Sequence, residues 1–349
     1  MLALQTGNRR AFELVAGAVA AIASYKSTRD RSVLEGALAN LKLASQHDNH
    51  YLLAPYYIAV IEDLLGRSRS AAEQLLAILS EAPTAYPKLI NEMRFNLAVA
   101  QYHGYSHDCL KAAAATLDTV LSDTNTLFGR IKHFRVRLHS RALLAQVYAM
   151  WSIPRTPEDV ANYKNEKIRI WDCYKSANKN AYQVLYFSPM LLVLALIDRG
   201  RCREIKAIAH NAIGMATMYY TDFSLNHDAK LRTLRRGLKH LSISDRLFPR
   251  DWANYCDIGS CHMRMGYWRG DATEFDLARK YLSAVVKELR PDYGFALYEI
   301  GRSYRIQGNF TDALKYFTMA MNVRHDREVS DRRVQREINL AEKGDNLYP

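Results

Sequence analysis

Apolar and small residues recur along this chain at intervals of three and four, and the strict alternation that marks a half-buried strand is nearly absent. Spacing of that kind puts one apolar stripe on each of many helices, and it excludes most sheet-based folds from the outset. The 16 glycines and 9 prolines are too few for a collagen-like, linker-like or turn-rich all-β chain. Hydrophobic residues make up 49 % of the chain, so it can build a core and is not a disordered protein. Length alone suggests about two domains. A chain made only of helices is best searched first for internal repetition, because repeats fold by stacking rather than around one core.

Repetition is clearest near the C-terminus, where Leu297, Ile300, Gly301, Tyr304, Gly308, Phe310, Ala313, Phe317 and Ala320 follow one another at a characteristic spacing. Gly301 and Ala313 suit a close crossing of two helices, where a larger side chain would push them apart. Tyr304, Phe310 and Phe317 fill the gaps around the crossing, and Gly308 permits the tight turn between the helices. This stretch resembles the tetratricopeptide (TPR) repeat, lacking only the closing proline, whose place His325 takes. Ala59, Gly66, Ala71, Leu75, Ile78 and Pro83 form a second such unit. Leu97, Ala98, Ala113, Leu117 and Val120 form a third, and Tyr255, Ile258, Gly259, Gly266, Phe275, Ala278 and Leu282 a fourth, closed by Pro291.

The small position on the second helix can be followed as Ala37, Ala71, Ala113, Ile205, Gly237, Ala278 and Ala313. The interval from Ala113 to Ile205 holds two steps, so one unit is degenerate, at about residues 126–187. Its first helix is expected at Phe134 to Trp151, with Ala145 at the crossing, and its second at Asn162 to Tyr186. Ser152 to Asp159, with Pro154 and Pro157, interrupts it. The expected architecture is all-α: a right-handed α-solenoid of about seven to eight TPR-like helix pairs, roughly 44 residues each against the family's usual ~34. One continuous solenoid over residues 1–325 is expected, with residues 326–349 as a polar capping helix and tail.

No catalytic chemistry is legible. The chain has no phosphate-cradling glycine loop, no H-E-x-x-H, no G-x-S-x-G and no C-x-x-C pair. Three His-Asp dipeptides, His107-Asp108, His227-Asp228 and His325-Asp326, read as turn or capping residues rather than metal ligands. Cys109, Cys173, Cys202, Cys256 and Cys261 are too scattered for a disulfide framework, and Cys256, Cys261 and His262 would diverge on a helix. No catalytic residue, cofactor or metal is therefore expected. No apolar run reaches the ~18 residues of a membrane span. The cysteines fit a reducing, cytoplasmic setting; Arg9-Arg10 ahead of the apolar run Leu14 to Ala23 leaves export as the alternative.

The resemblance implies that the first helix of each pair lines a concave groove that receives a peptide or helix of a partner protein. Carried across in register, the groove residues are Tyr56, Val60, Phe95, Val99, Tyr102, Phe295, Tyr298, Arg302 and Arg305, with Asp63, His103, Ser260 and Arg264 beside them. The lysine and asparagine clamp of chaperone-binding members has no counterpart at these positions. The expected function is a non-enzymatic adaptor or scaffold. The net charge of +12 keeps a second reading open, RNA binding through the basic residues Arg130, Arg137, Arg141, Lys230, Arg235, Arg236 and Lys239. A third reading is a regulatory subunit of an enzyme or toxin encoded nearby. Homo-oligomerisation stays open, because the end of a repeat stack can pair with a second copy.

Overall fold

The structure, a computed structural model, describes residues 9–28, 30–47, 52–85, 89–104, 106–151, 163–186, 188–221, 226–291, 293–323 and 331–346, and among these it contains helices and turns but no strand. The chain divides into two compact units, residues 1–140 and 141–349. The first holds α1 (Arg9–Thr28), α2 (Arg31–His47), α3 (Leu53–Leu64), α4 (Ser68–Ala85), α5 (Ile90–His103), α6 (His107–Asp123), α7 (Leu127–Lys132) and the start of α8 (Phe134–Trp151). The second holds the rest of α8, then α9 (Tyr163–Leu185), α10 (Pro189–Ile197), α11 (Arg199–Tyr220), α12 (His227–Leu247), α13 (Trp252–Arg269), α14 (Ala272–Ala284), α15 (Gly294–Ile306), α16 (Phe310–Asn322) and α17 (Asp331–Glu342). His325 and the interruption at Ser152 to Asp159 lie outside the described residues.

Neighbouring helices pack as pairs: α1 with α2, α3 with α4 and α5 with α6 in the first unit, and α11 with α12, α13 with α14 and α15 with α16 in the second. Successive pairs pack in turn through α2–α3, α4–α5, α12–α13 and α14–α15. In the first unit one apolar core runs through its pairs, built on Leu34, Leu41, Ile61, Leu75, Met93 and Leu97, all buried. Several helices begin on a side chain that accepts a hydrogen bond from the first turn: Ser106, Asp198, Asn226, Asp251, Asp271 and Asn309. Each such cap contributes about 1 kcal/mol.

The three pairs of the second unit cross by one geometry. A Cβ on Gly301 would lie 2.6 Å from the Phe317 ring and 3.2 Å from the Ala313 carbonyl oxygen. One on Gly259 would lie 2.7 Å from Leu282 and 3.2 Å from the Ala278 oxygen, and one on Gly214 would lie 2.6 Å from Leu241 and 3.0 Å from the Gly237 oxygen. Each first helix thus lays a glycine on a carbonyl of its partner and beside the residue one turn further on. Gly308 follows α15 at φ 80°, a left-handed conformation that closes the turn into α16.

The third crossing corrects the sequence reading. Ile205 is not the small residue of a second helix; it lies on α11, which is itself a first helix, with Gly214 at the crossing. After α14 the chain makes a single π-helical turn, Val285–Leu289, before α15.

Candidate functional site

In the first unit the first helices α3 and α5 pack on each other. Tyr56 and Tyr102 are buried; Val60, four residues after Tyr56, and Phe95 and Val99, seven and three before Tyr102, share their helix faces by spacing and are half-buried. These faces are fixed by polar contacts. Asn96 donates to the Tyr56 hydroxyl, burial pushes that phenol well above its usual range, and the imidazole of His103 meets the Asp63 carboxylate at 3.0 Å. Phe95 stacks on His139 with ring centroids 5.3 Å apart. Two neighbouring first helices therefore present an aliphatic and aromatic strip with a rigid polar border.

The second unit builds the equivalent positions differently. Gln146 on α8 donates to Asn211 on α11 at 2.8 Å, and Asn211 donates to Asp257 on α13 at 2.8 Å and to Asn254 at 3.2 Å. Burial raises the Asp257 carboxyl to about 7, partly offset by the Asn211 hydrogen bond. Arg264 lies over the Tyr219 ring, 5.1 Å from its centroid, and Ser260 donates to Glu299 on α15 at 3.3 Å. Glu299 accepts from Arg302 at 2.9 Å, and Arg305 donates to Glu337 on α17 at 2.7 Å and to the Asp345 carbonyl at 2.6 Å. A seam of mostly buried polar groups thus joins α8 to α11, α11 to α13, α13 to α15 and α15 to α17.

This seam corrects part of the expected groove. Tyr298, Arg302 and Arg305 are buried, Arg305 at 0 % exposure, and α17 packs across α15 and α16. Glu337 comes within 3.6 Å of Arg302, and Arg333 lies 5.9 Å from the Tyr298 ring. The terminal helix takes the arginines whose spacing had suggested a partner site. Phe295 remains half-buried against Tyr293 and Tyr298. The seam residues Asn211, Asp257 and Glu299 escaped sequence reasoning, because their partners sit one repeat away.

The basic residues separate likewise. Arg137 donates to the Leu121 carbonyl and to Thr124, both at 2.7 Å; Arg141 donates to Gln183; Lys230 lies 3.8 Å from the centroid of the Trp268 ring. These three are engaged in the fold. Arg130 is exposed and donates to Asn125. Arg232, Arg235, Arg236 and Lys239 are exposed at a spacing that puts them on one face of α12, with Arg236 reaching the Tyr182 hydroxyl at 3.1 Å.

Among the described residues no group of three or more His, Cys, Asp and Glu is placed to hold a metal. His107-Asp108 and His227-Asp228 both open helices. Burial pushes the Cys261 thiol up to about 12, so it stays protonated and unreactive.

No family model matches this chain. No curated protein matches it either. Solved structures do. A tetratricopeptide repeat protein from Parabacteroides merdae aligns over 96 % of this chain and 100 % of its own, at 12 % identity and a TM-score of 0.49. A thermophilic TPR protein from Thermus thermophilus aligns over 72 % of this chain and 99 % of its own, at 14 % identity and 0.43. The TPR2AB domain of yeast Sti1, solved in a pHSP90 complex, aligns over 82 % and 98 %, at 14 % identity and 0.27. By the crossing geometry that its own helix pairs share, this chain is an all-α helical-repeat protein.

Proposed function

We propose that this chain is a protein-interaction scaffold that holds a segment of a partner protein against the first-helix face of α3 and α5. The observation that carries the reading is that half-buried Val60, Phe95 and Val99 share by spacing the first-helix faces of the buried Tyr56 and Tyr102. Aliphatic and aromatic side chains that are already held by packing and still partly exposed lose little entropy on binding, which is how interface anchors act. The polar border, Asp63 with His103 and Asn96 with Tyr56, orients a segment without supplying much affinity. The seam of the second unit supports this placement, since its first-helix polar groups are already paired within the chain. A photo-crosslinking residue at Val60 or Val99 in the native cell should capture one partner protein, and the same residue at Gln335 on α17 should not. Equal capture at all three positions, or none, would refute the groove.

A second reading rests on one further observation, the exposed stripe of Arg232, Arg235, Arg236 and Lys239 on α12. Four cations on one helix face favour an anionic partner such as RNA. Binding through that stripe would weaken steeply with salt, and charge reversal at Arg235 and Arg236 would remove it while leaving groove crosslinking intact.

A further inference from the structure

The helix α10 breaks the ordinary pattern of a soluble surface. All nine of its residues, Pro189–Ile197, are apolar. A helix that is apolar all round is normally buried on every side. Here only Leu191 and Leu194 are buried, seating the helix on α11, where Cys202 also approaches the Leu191 carbonyl. The opposite face points outward. Leu192 is 72 % exposed, Val193 41 %, Leu196 88 % and Ile197 56 %. These four occupy adjacent positions on successive turns and form one continuous aliphatic strip.

The two ends of the strip differ in character. Before it stands Tyr186, exposed, with the exposed Lys179 two turns back along α9. After it come Arg199 and Arg203, both exposed and one turn apart at the start of α11. The acidic residue between strip and arginines, Asp198, is spent as the cap of α11, accepting from the Arg201 amide at 3.0 Å. The exposed charge at both ends is therefore positive.

We propose that α10 is a membrane-surface docking helix, whose strip of Leu192, Val193, Leu196 and Ile197 enters the interfacial layer of an anionic bilayer while Arg199 and Arg203 meet its headgroup charge. An outward aliphatic face with an aromatic residue at one end and cations beside it suits the membrane interface; where a free surface helix turns a polar face to water, α10 turns its other face to α11. Nine residues fall far short of the ~20 needed to cross a bilayer, and although α10 with Arg169–Leu185 of α9 reaches spanning length and composition together, the two are bent by 55° at the break, so the proposed contact lays α10 in the plane of the membrane. A second copy of the chain fits less well. Four side chains offer about half of the ~800 Å² that each partner buries in a standard interface.

The test uses the full-length chain and vesicle flotation, with phosphatidylcholine vesicles made with and without phosphatidylserine. The wild type should float with the phosphatidylserine vesicles and not with phosphatidylcholine alone. L192E/L196E should lower the partition constant at least tenfold, since each leucine leaves an apolar layer. R199Q/R203Q should lower it about fivefold per arginine and flatten its salt dependence. Circular dichroism should be unchanged in both, because these side chains face solvent. A single change, L196W, gives an independent readout: its fluorescence should shift to the blue on adding phosphatidylserine vesicles. Absence of wild-type flotation, or flotation that survives L192E/L196E, overturns the proposal. So does a concentration-dependent dimer that L192E/L196E dissolves, which would make the strip a seam between copies.

Discussion

Replacing Glu337 by alanine should loosen the C-terminal helix and little else. Glu337 is buried on α17, within 2.7 Å of the fully buried Arg305 and 3.6 Å of Arg302. Removing it leaves two buried guanidinium groups beside one remaining carboxylate, Glu299, whose 2.9 Å contact holds Arg302 only. Breaking a buried pair from one side destabilises by about 3–5 kcal/mol, because the surviving charge stays out of water. Arg305 keeps the Asp345 carbonyl at 2.6 Å, so the lower figure applies. About 3 kcal/mol corresponds to a ~150-fold rise in the opening constant of α17. Hydrogen exchange read peptide by peptide suits the question, since repeat arrays open from their ends and a single unfolding free energy would average over unlike units. Amides of α17 should lose protection up to that factor, while those of α13 change by less than threefold. The double variant Arg305→Met with Glu337→Leu should restore protection, because a matched apolar pair has no charge left to strand. Loss below threefold in α17, or equal loss in α13, would show that the arginines are satisfied in some other way.

Three further outcomes follow from the same geometry. Gly301→Ala should lower stability by about 1–3 kcal/mol despite the helix propensity of alanine, because its Cβ meets Phe317 at 2.6 Å and a backbone oxygen at 3.2 Å; thermal unfolding of Gly301→Ala beside the exposed control Gly36→Ala, whose Cβ meets nothing within 4 Å, separates the two effects. His210 and His240 face each other at 3.0 Å through their Nδ1 atoms, and burial, the other imidazole and Lys206 bring His210 down to about 4. Its folded value lies below its unfolded value, so its contribution is present above about 6.5 and is lost as pH falls towards about 4. The ring is partly exposed, so the loss should reach about 1–2 kcal/mol, and His210→Gln should remove it from the pH profile of thermal unfolding. Asp257 has the opposite sign: its folded value is raised to about 7 from 3.8, so its contribution is present below about 4 and lost as pH rises through 7. Asp257→Asn should therefore raise the melting temperature above pH 7 and leave it unchanged near pH 4; a lower melting temperature at both would refute the assigned burial effect.

How much of this was legible in the sequence depends on how far apart the cooperating residues lie. The α15–α16 crossing was readable because Gly301, Gly308, Ala313 and Phe317 fall within one short window, with a short loop and ordinary helix lengths. The α11–α12 crossing obeys the same geometry, yet its first-helix glycine, Gly214, is not legible, and Ile205 on the same helix reads instead as the small position of a second helix. There both helices exceed twenty residues, so the glycine and its partner Gly237 lie almost twice as far apart in the chain. For the candidate site the limit is one of partnership. The helical spacing placed Tyr298, Arg302 and Arg305 on a first helix correctly. What it lacked was Glu337, thirty-two residues beyond Arg305, whose helix closes over them. The outward face of α10 was hidden for a related reason: a run such as Met190 to Ile197 reads as core, and only the position of the neighbouring helices shows which side is left open.

The buried seam also bears on how such a chain finds its proper order. Repeats built alike offer many interchangeable apolar faces, and a unit that docks one place out of turn still hides much of its surface. Asn211, Asp257, Ser260, Glu299 and Glu337 are not interchangeable, because each is paired with a particular polar residue of another helix. A slipped arrangement would bury a carboxylate or guanidinium without its counterpart, a penalty larger than the usual difference between two apolar fits. The polar groups then act as a key that each joint checks against the next, so that in this half of the chain the sequence of stacking is enforced by charge and the strength of it by apolar contact.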